Sequence, residues 1–112
     1  MTGIAKFSLP ENLIGISRFM YNNLHPGTNQ LLKGVLENED MYINVCKKVL
    51  GQWLIDNFKL TEKNPFTDKF TEFGFELGDI PLILFKGYRN FLLGEDINPE
   101  IISGWKGYLY GP

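Results

Sequence analysis

Residues 41–58, MYINVCKKVLGQWLIDNF, carry the strongest helical signal in the chain. Tyr42, Val45, Cys46, Val49, Leu50, Trp53 and Leu54 recur three and four positions apart, the spacing that gathers side chains on one face of an α-helix. Asn44, Lys47 and Lys48 fall on the opposite, wet side. The stretch predicts one helix over 41–58 with Asp40 as its N-cap. Leu50 and Trp53 are expected in the core. Gly51 interrupts the pattern at a cost of about 1 kcal/mol relative to alanine, and a close approach by another element is its expected purpose.

The pattern extends to both sides. Ser8-Leu9-Pro10-Glu11 fits a capping box, in which Ser8 accepts from the first-turn amides and Glu11 reaches back. Proline is tolerated there because its missing amide proton has no helical partner. A helix over 9–23 follows, with Leu13, Ile16, Met20 and Leu24 on one face and Asn12, Arg18 and Asn22 largely elsewhere. His25-Pro26-Gly27 reads as a turn. Thr28 can cap a second helix with Leu31, Leu32, Val35 and Leu36 as its apolar stripe, ending in the acidic run 37–40.

Beyond the polar connection 59–65 two readings compete. Phe66, Phe70 and Phe73 fit a short helix beginning at Thr67 or Asp68. Phe73, Phe75 and Leu77 alternate with Glu72, Gly74, Glu76 and Gly78, as a half-buried strand would. Asp79 and Pro81 can open a helix to Leu93, closed by Gly94, while Leu82 to Phe85 also fits a buried strand. Asn98-Pro99-Glu100 is a helix start, followed by Ile101, Ile102, Trp105 and Leu109 on the apolar side. The expected fold class is therefore mostly α: a compact single domain over 1–112 with about five helices. A short β element near 72–86, pairing with residues 4–7, is the open alternative.

Composition narrows the function classes. The 112 residues are 44% hydrophobic and 21% charged, with a net charge of -2 from 11 Lys+Arg against 13 Asp+Glu. That length suits one core, and the composition is not that of a disordered chain. A single cysteine, Cys46, excludes an intrachain disulfide framework and any Cys-based zinc site, and a single histidine, His25, excludes His-rich metal sites. The longest apolar run, 80–85, is far short of the roughly 20 residues a membrane span needs. No targeting pattern opens the chain, and a lone cysteine fits a reducing compartment. The expectation is a cytoplasmic protein.

Catalytic constellations are sparse. Ser8 reads as a cap, Ser17 lies inside a helix, and His25 reads as an exposed turn residue before proline. Cys46 sits on an apolar face, where free cysteine behaves as a small hydrophobe. The carboxylate pairs Glu39/Asp40, Glu72/Glu76 and Glu95/Asp96 could support acid–base work or weak cation binding, but read first as solvated surface. No glycine pattern cradles a phosphate. The expectation is a protein that is not an enzyme and carries no cofactor and no metal. Lys86, Arg89 and Lys106, interleaved with Tyr88, Trp105, Tyr108 and Tyr110, form the pattern that contacts phosphates and stacks bases. Two arginines and a negative net charge weigh against nucleic acid; in the competing reading these aromatics fill the core.

One alanine against 10 asparagines, 10 isoleucines and 9 phenylalanines is the bias of an AT-rich gene, frequent in phages and bacterial mobile elements. In size, composition and lack of a catalytic constellation the chain resembles bacterial toxin-immunity proteins, including those of contact-dependent growth inhibition. Phage anti-defence proteins, such as CRISPR inhibitors, look similar for the same reasons. The resemblance implies a non-catalytic protein that binds a cognate toxin, such as a basic nuclease, and occludes its active site. The expected contacts are the carboxylates Glu37, Glu39, Asp40, Glu72, Glu76 and Asp79, with the aromatics Trp105, Tyr108 and Tyr110. A small nucleic-acid-binding regulator is the alternative. The sequence sets no oligomeric state.

Overall fold

A computed structural model describes residues 8–111 and folds them into seven α-helices and one 3-10 turn, with no strand among the described residues. The mostly-α expectation holds. Residues 4–7, the expected pairing partner of that β element, lie outside the described residues.

Helix α1 (Leu9–Asn23) starts at the capping box read from the sequence: Ser8 Oγ accepts from Glu11 N, and Glu11 Oε1 accepts from Ser8 N at 3.0 Å. Helix α2 (Pro26–Lys33) begins earlier than expected. His25, not Thr28, is its N-cap, and His25 Nδ1 accepts from Gly27 N at 2.9 Å. An imidazole nitrogen can do what a hydroxyl does at a cap, and Pro26 then sits at the first helical position. Leu31 therefore turns outward and is 49% exposed, while Leu32 is buried.

The expected helix over 41–58 is two helices, α3 (Glu39–Val49) and α4 (Gly51–Phe58). Asn38 caps α3, its Oδ1 accepting from Met41 N, so Asp40 lies inside the first turn rather than at the cap. The ladder bends at Leu50, beside Gly51, a residue that weakens a helix interior. Nothing lies within 4 Å of where a Cβ of Gly51 would stand, so the expected close approach is absent. Leu50 and Leu54 are fully buried, but Trp53 only half, and Val49 is exposed.

Helix α5 (Pro65–Phe73) is capped by Asn64. The strand reading of 73–77 fails at Gly74. This glycine adopts φ +116° and closes α5, its N–H bonding Phe70 O and Thr71 O. Phe75 N also returns to Phe70 O at 3.0 Å. The amides that a strand would offer to a ladder are thus consumed by the helix end. Phe73 and Phe75 stack on each other with centroids 5.9 Å apart.

After the 3-10 turn Leu77–Asp79, helix α6 (Ile80–Leu93) settles the second ambiguity in favour of a helix. It is apolar nearly all round, and it buries Ile80, Ile83, Leu84, Phe85, Lys86, Gly87, Tyr88 and Asn90, the pattern of a central helix. A Cβ at Gly87 would sit 3.4 Å from Leu13 Cδ2, so the glycine sets how closely α1 crosses α6. Polar atoms of α6 find partners on the surrounding elements. Phe85 O accepts from Tyr42 Oη at 2.9 Å, Tyr88 Oη donates to Asn29 Oδ1, and Asn90 Nδ2 donates to Asp96 O at 2.9 Å. Helix α7 (Pro99–Tyr110), capped by Asn98, closes the bundle. No described helix is long and apolar enough to cross a membrane.

Burial orders the core substitutions. Leu50→Ala should cost about 2–5 kcal/mol, and Trp53→Ala less than a fully buried tryptophan would. Denaturant unfolding of both variants checks this; Trp53→Ala as the more damaging change would contradict the bend at Leu50.

Candidate protein-binding face

A cluster of charged side chains lies where the start of α3 meets α6 and α7. Glu39 and Asp40 stand in the first turn of α3, where the helix dipole favours negative charge. Glu39 Oε2 accepts from Lys86 Nζ at 3.0 Å and lies 3.9 Å from Arg89 Nη1. The Lys86 side chain is only 10% exposed. A buried ammonium needs a counter-charge, and Glu39 supplies it. Arg89 holds the turn before α3 as well, donating from Nε and Nη2 to Leu36 O at 2.9 and 2.6 Å.

Tyr108 completes the cluster. Its ring centroid lies 5.3 Å from Lys86 Nζ, within cation–π range. The residue is 81% exposed. Between α3, α6 and Tyr108 opens a cleft of about 430 Å³, lined by Glu39, Asp40, Ile43, Asn44, Lys47, Leu82, Lys86 and Tyr108.

The second acidic group is arranged differently. Tyr110 Oη donates to Asp79 Oδ2 at 2.6 Å and accepts from Glu76 N at 2.8 Å. Burial, and then the bond to Asp79, push the Tyr110 phenol above its ordinary pKa. These bonds tie the end of α7 to the segment before α6. Glu72 and Glu76 are exposed, the first near the end of α5 and the second in extended chain, rather than alternating along a strand. Glu37 is exposed in the turn before α3. Trp105 is half-buried and packs against the core.

The structure thus brings Glu39, Asp40 and Tyr108 into one cleft and joins Glu76, Asp79 and Tyr110 in one tether. It leaves Glu37 and Glu72 outside both and puts Trp105 against the core. The cations of the nucleic-acid pattern are engaged internally: Lys86 by Glu39, Arg89 by Leu36 O, and Lys106 by Phe73 O at 3.2 Å. Tyr88 is fully buried. Among the described residues no group of three or more His, Cys, Asp or Glu is placed to hold a metal ion. Cys46 is fully buried beside Tyr42, and burial pushes its thiol up to about 12.

Sequence reasoning missed the role of Lys86 as a buried cation. The signal was there: Lys86 and Arg89 stand inside an otherwise apolar run, and a helix buried all round must find a carboxylate for such residues. It also missed an apolar groove beside α1, because Phe19, Phe58 and Phe66 are far apart in sequence. Compared with known proteins, the chain matches no family model, and no curated protein or solved structure matches it.

Glu39→Ala should lower stability by about 1–3 kcal/mol, between the values for exposed and buried pairs, whereas Lys86→Met should be near neutral. A double-mutant cycle between the two measures the coupling, and a coupling of zero would remove the pair from the account. The Cys46 thiol, raised from 9.0 to about 12, should resist a thiol reagent until the protein unfolds. Because the unfolded thiol ionises first, its contribution to stability is complete below pH 9.0 and is lost towards pH 12. Cys46→Ala should flatten that alkaline decline; rapid labelling of the native thiol would contradict its burial.

Proposed function

We propose that the protein is a non-catalytic inhibitor of the immunity-protein type, which binds a cognate bacterial toxin and occludes its active site. The observation that carries this reading is Tyr108. It is a large aromatic left 81% exposed on a helix, backed by the Lys86–Glu39 pair and bordered by Asp40. Tyrosine held in one geometry gives contact area at little further entropic cost, which is why it recurs among interface anchors. Asp40 at the cleft, and Glu37 in the turn before α3 outside it, form an exposed negative rim around the start of α3 that outnumbers the one exposed cation of the cleft, Lys47. Such a rim steers a basic partner and speeds association at low salt. A nuclease, whose substrate-binding surface is basic, is the partner class that fits, and the cytoplasm is the compartment in which they would meet.

Glu39 has a different part. It fixes Lys86, which in turn supports the Tyr108 ring, so it positions the anchor rather than contacting the partner. Asp79 is likewise held by Tyr110. The carboxylates offered to a partner are therefore Glu37 and Asp40, with Glu72 and Glu76 as a second patch. A phage anti-defence inhibitor would use the same face in the same way. The alternative, a nucleic-acid-binding regulator, has its cations turned to internal contacts.

The test is rescue of growth on co-expression with a toxic nuclease domain encoded beside this gene. The parent chain should rescue; Tyr108→Ala and the pair Glu37→Lys with Asp40→Lys should fold normally yet rescue poorly. The association rate should fall as salt rises. Folded variants that rescue as well as the parent would refute this face, and retardation of DNA or RNA by the purified protein at physiological salt would favour the regulator.

A further inference from the structure

We propose that the groove beside α1 seats α1 of a second copy of this chain, in an antiparallel, two-fold contact centred near Gly15. The groove has a volume of about 750 Å³, with Phe19, Phe58 and Phe66 as its apolar wall. Phe19 is 44% exposed there, and its ring neighbours both Trp53 and Phe58. Exposed aromatic residues such as Phe19 are enriched in the cores of protein interfaces.

The charges along α1 say which occupant fits. Glu11 and Arg18 line the same groove and are both exposed. They lie seven residues, or about 10 Å, apart along the helix axis. Their midpoint falls between positions 14 and 15. Turned about a two-fold axis at that midpoint, α1 sets Glu11 opposite Arg18 of the second copy, and Arg18 opposite its Glu11. A two-fold interface requires a surface complementary to itself, and an acid and a base equidistant from a centre meet that requirement. Both cap bonds of Glu11 to Ser8 fall on Oε1, and they hold its carboxyl below the usual carboxylate range, so the anion persists.

Gly15 supplies the second observation. It is exposed inside a helix, and nothing lies within 4 Å of where its Cβ would stand. The protomer itself therefore has no steric need for glycine at this position, although glycine weakens a helix interior. At the crossing of two helices a missing side chain lets the backbones approach closely. Phe19, one turn further on, then falls against the Glu11–Asn12 end of the other copy's groove. The Tyr108 cleft shares no lining residue with this groove, so the inference stands or falls apart from the toxin-binding reading.

Sedimentation equilibrium of the full chain, from micromolar to millimolar protein, tests it. The parent should show a reversible monomer–dimer equilibrium that weakens with salt. Gly15→Trp has open space in the protomer and should leave the thermal melt intact while abolishing the dimer. Arg18→Glu should weaken self-association at least about tenfold, since it places like charges opposite each other. Mixed with Glu11→Arg, it should form a heterodimer, because every facing pair is then opposite in sign; circular dichroism confirms that both variants are folded. A parent that stays monomeric throughout, or a dimer unaffected by Gly15→Trp and Arg18→Glu, would overturn the proposal. So would a monomer whose groove instead binds an amphipathic helical peptide.

Discussion

Everything in this fold is arranged around a helix buried on almost every side. Helix α6 carries Ile83, Leu84, Phe85 and Tyr88 inward, but it also buries Lys86, Asn90 and the Phe85 carbonyl, with Arg89 partly exposed at the margin. Burying apolar surface drives the helix in, and each polar group taken along must then be matched. The surrounding elements supply those matches: Tyr42 from α3 for Phe85 O, Asn29 from α2 for Tyr88, Glu39 from the start of α3 for Lys86. The start of α3 is thereby fixed by charge as well as by packing, and the Tyr108 cleft is a consequence of that fixation.

The parts of the fold legible in the sequence are those set by local chemistry. The Ser8–Glu11 capping box and the Asn98–Pro99 start of α7 are correct because caps depend on residues three positions apart. The errors arise where two local rules compete. Phe73, Phe75 and Leu77 satisfy the alternation of a strand, yet Gly74 can adopt a positive φ and end a helix, and that wins. Asn38 outcompetes Asp40 for the cap of α3, leaving Glu39 free to meet Lys86. The bend at Leu50 turns Trp53 partly outward, although the period through 41–58 is unbroken.

The candidate sites show the same division. Tyr108 and Asp40 were readable as exposed aromatic and acidic residues, but not that they border one cleft, since they belong to α7 and α3. Glu39 and Asp79 read as surface carboxylates and prove to be held, one by a buried lysine and one by Tyr110. A carboxylate that ties one helix to another, as Glu39 and Asp79 do, is a poor choice for a partner contact, because reversing its charge removes that tie along with the contact. The apolar groove of α1 is assembled from residues more than 40 positions apart, Phe19 and Phe66 among them, and no local pattern announces it.

Helix α6 is the element on which the others depend. Native-state hydrogen exchange addresses it directly, because exchange free energies rank the elements by the opening each requires. Amides of residues 83–90 should be the last to exchange, with a free energy equal to that of global unfolding measured by denaturant, while the ends of α2 and α7 exchange through smaller openings. Exchange of 83–90 through a sub-global opening, with α1 or α3 remaining protected, would contradict the account.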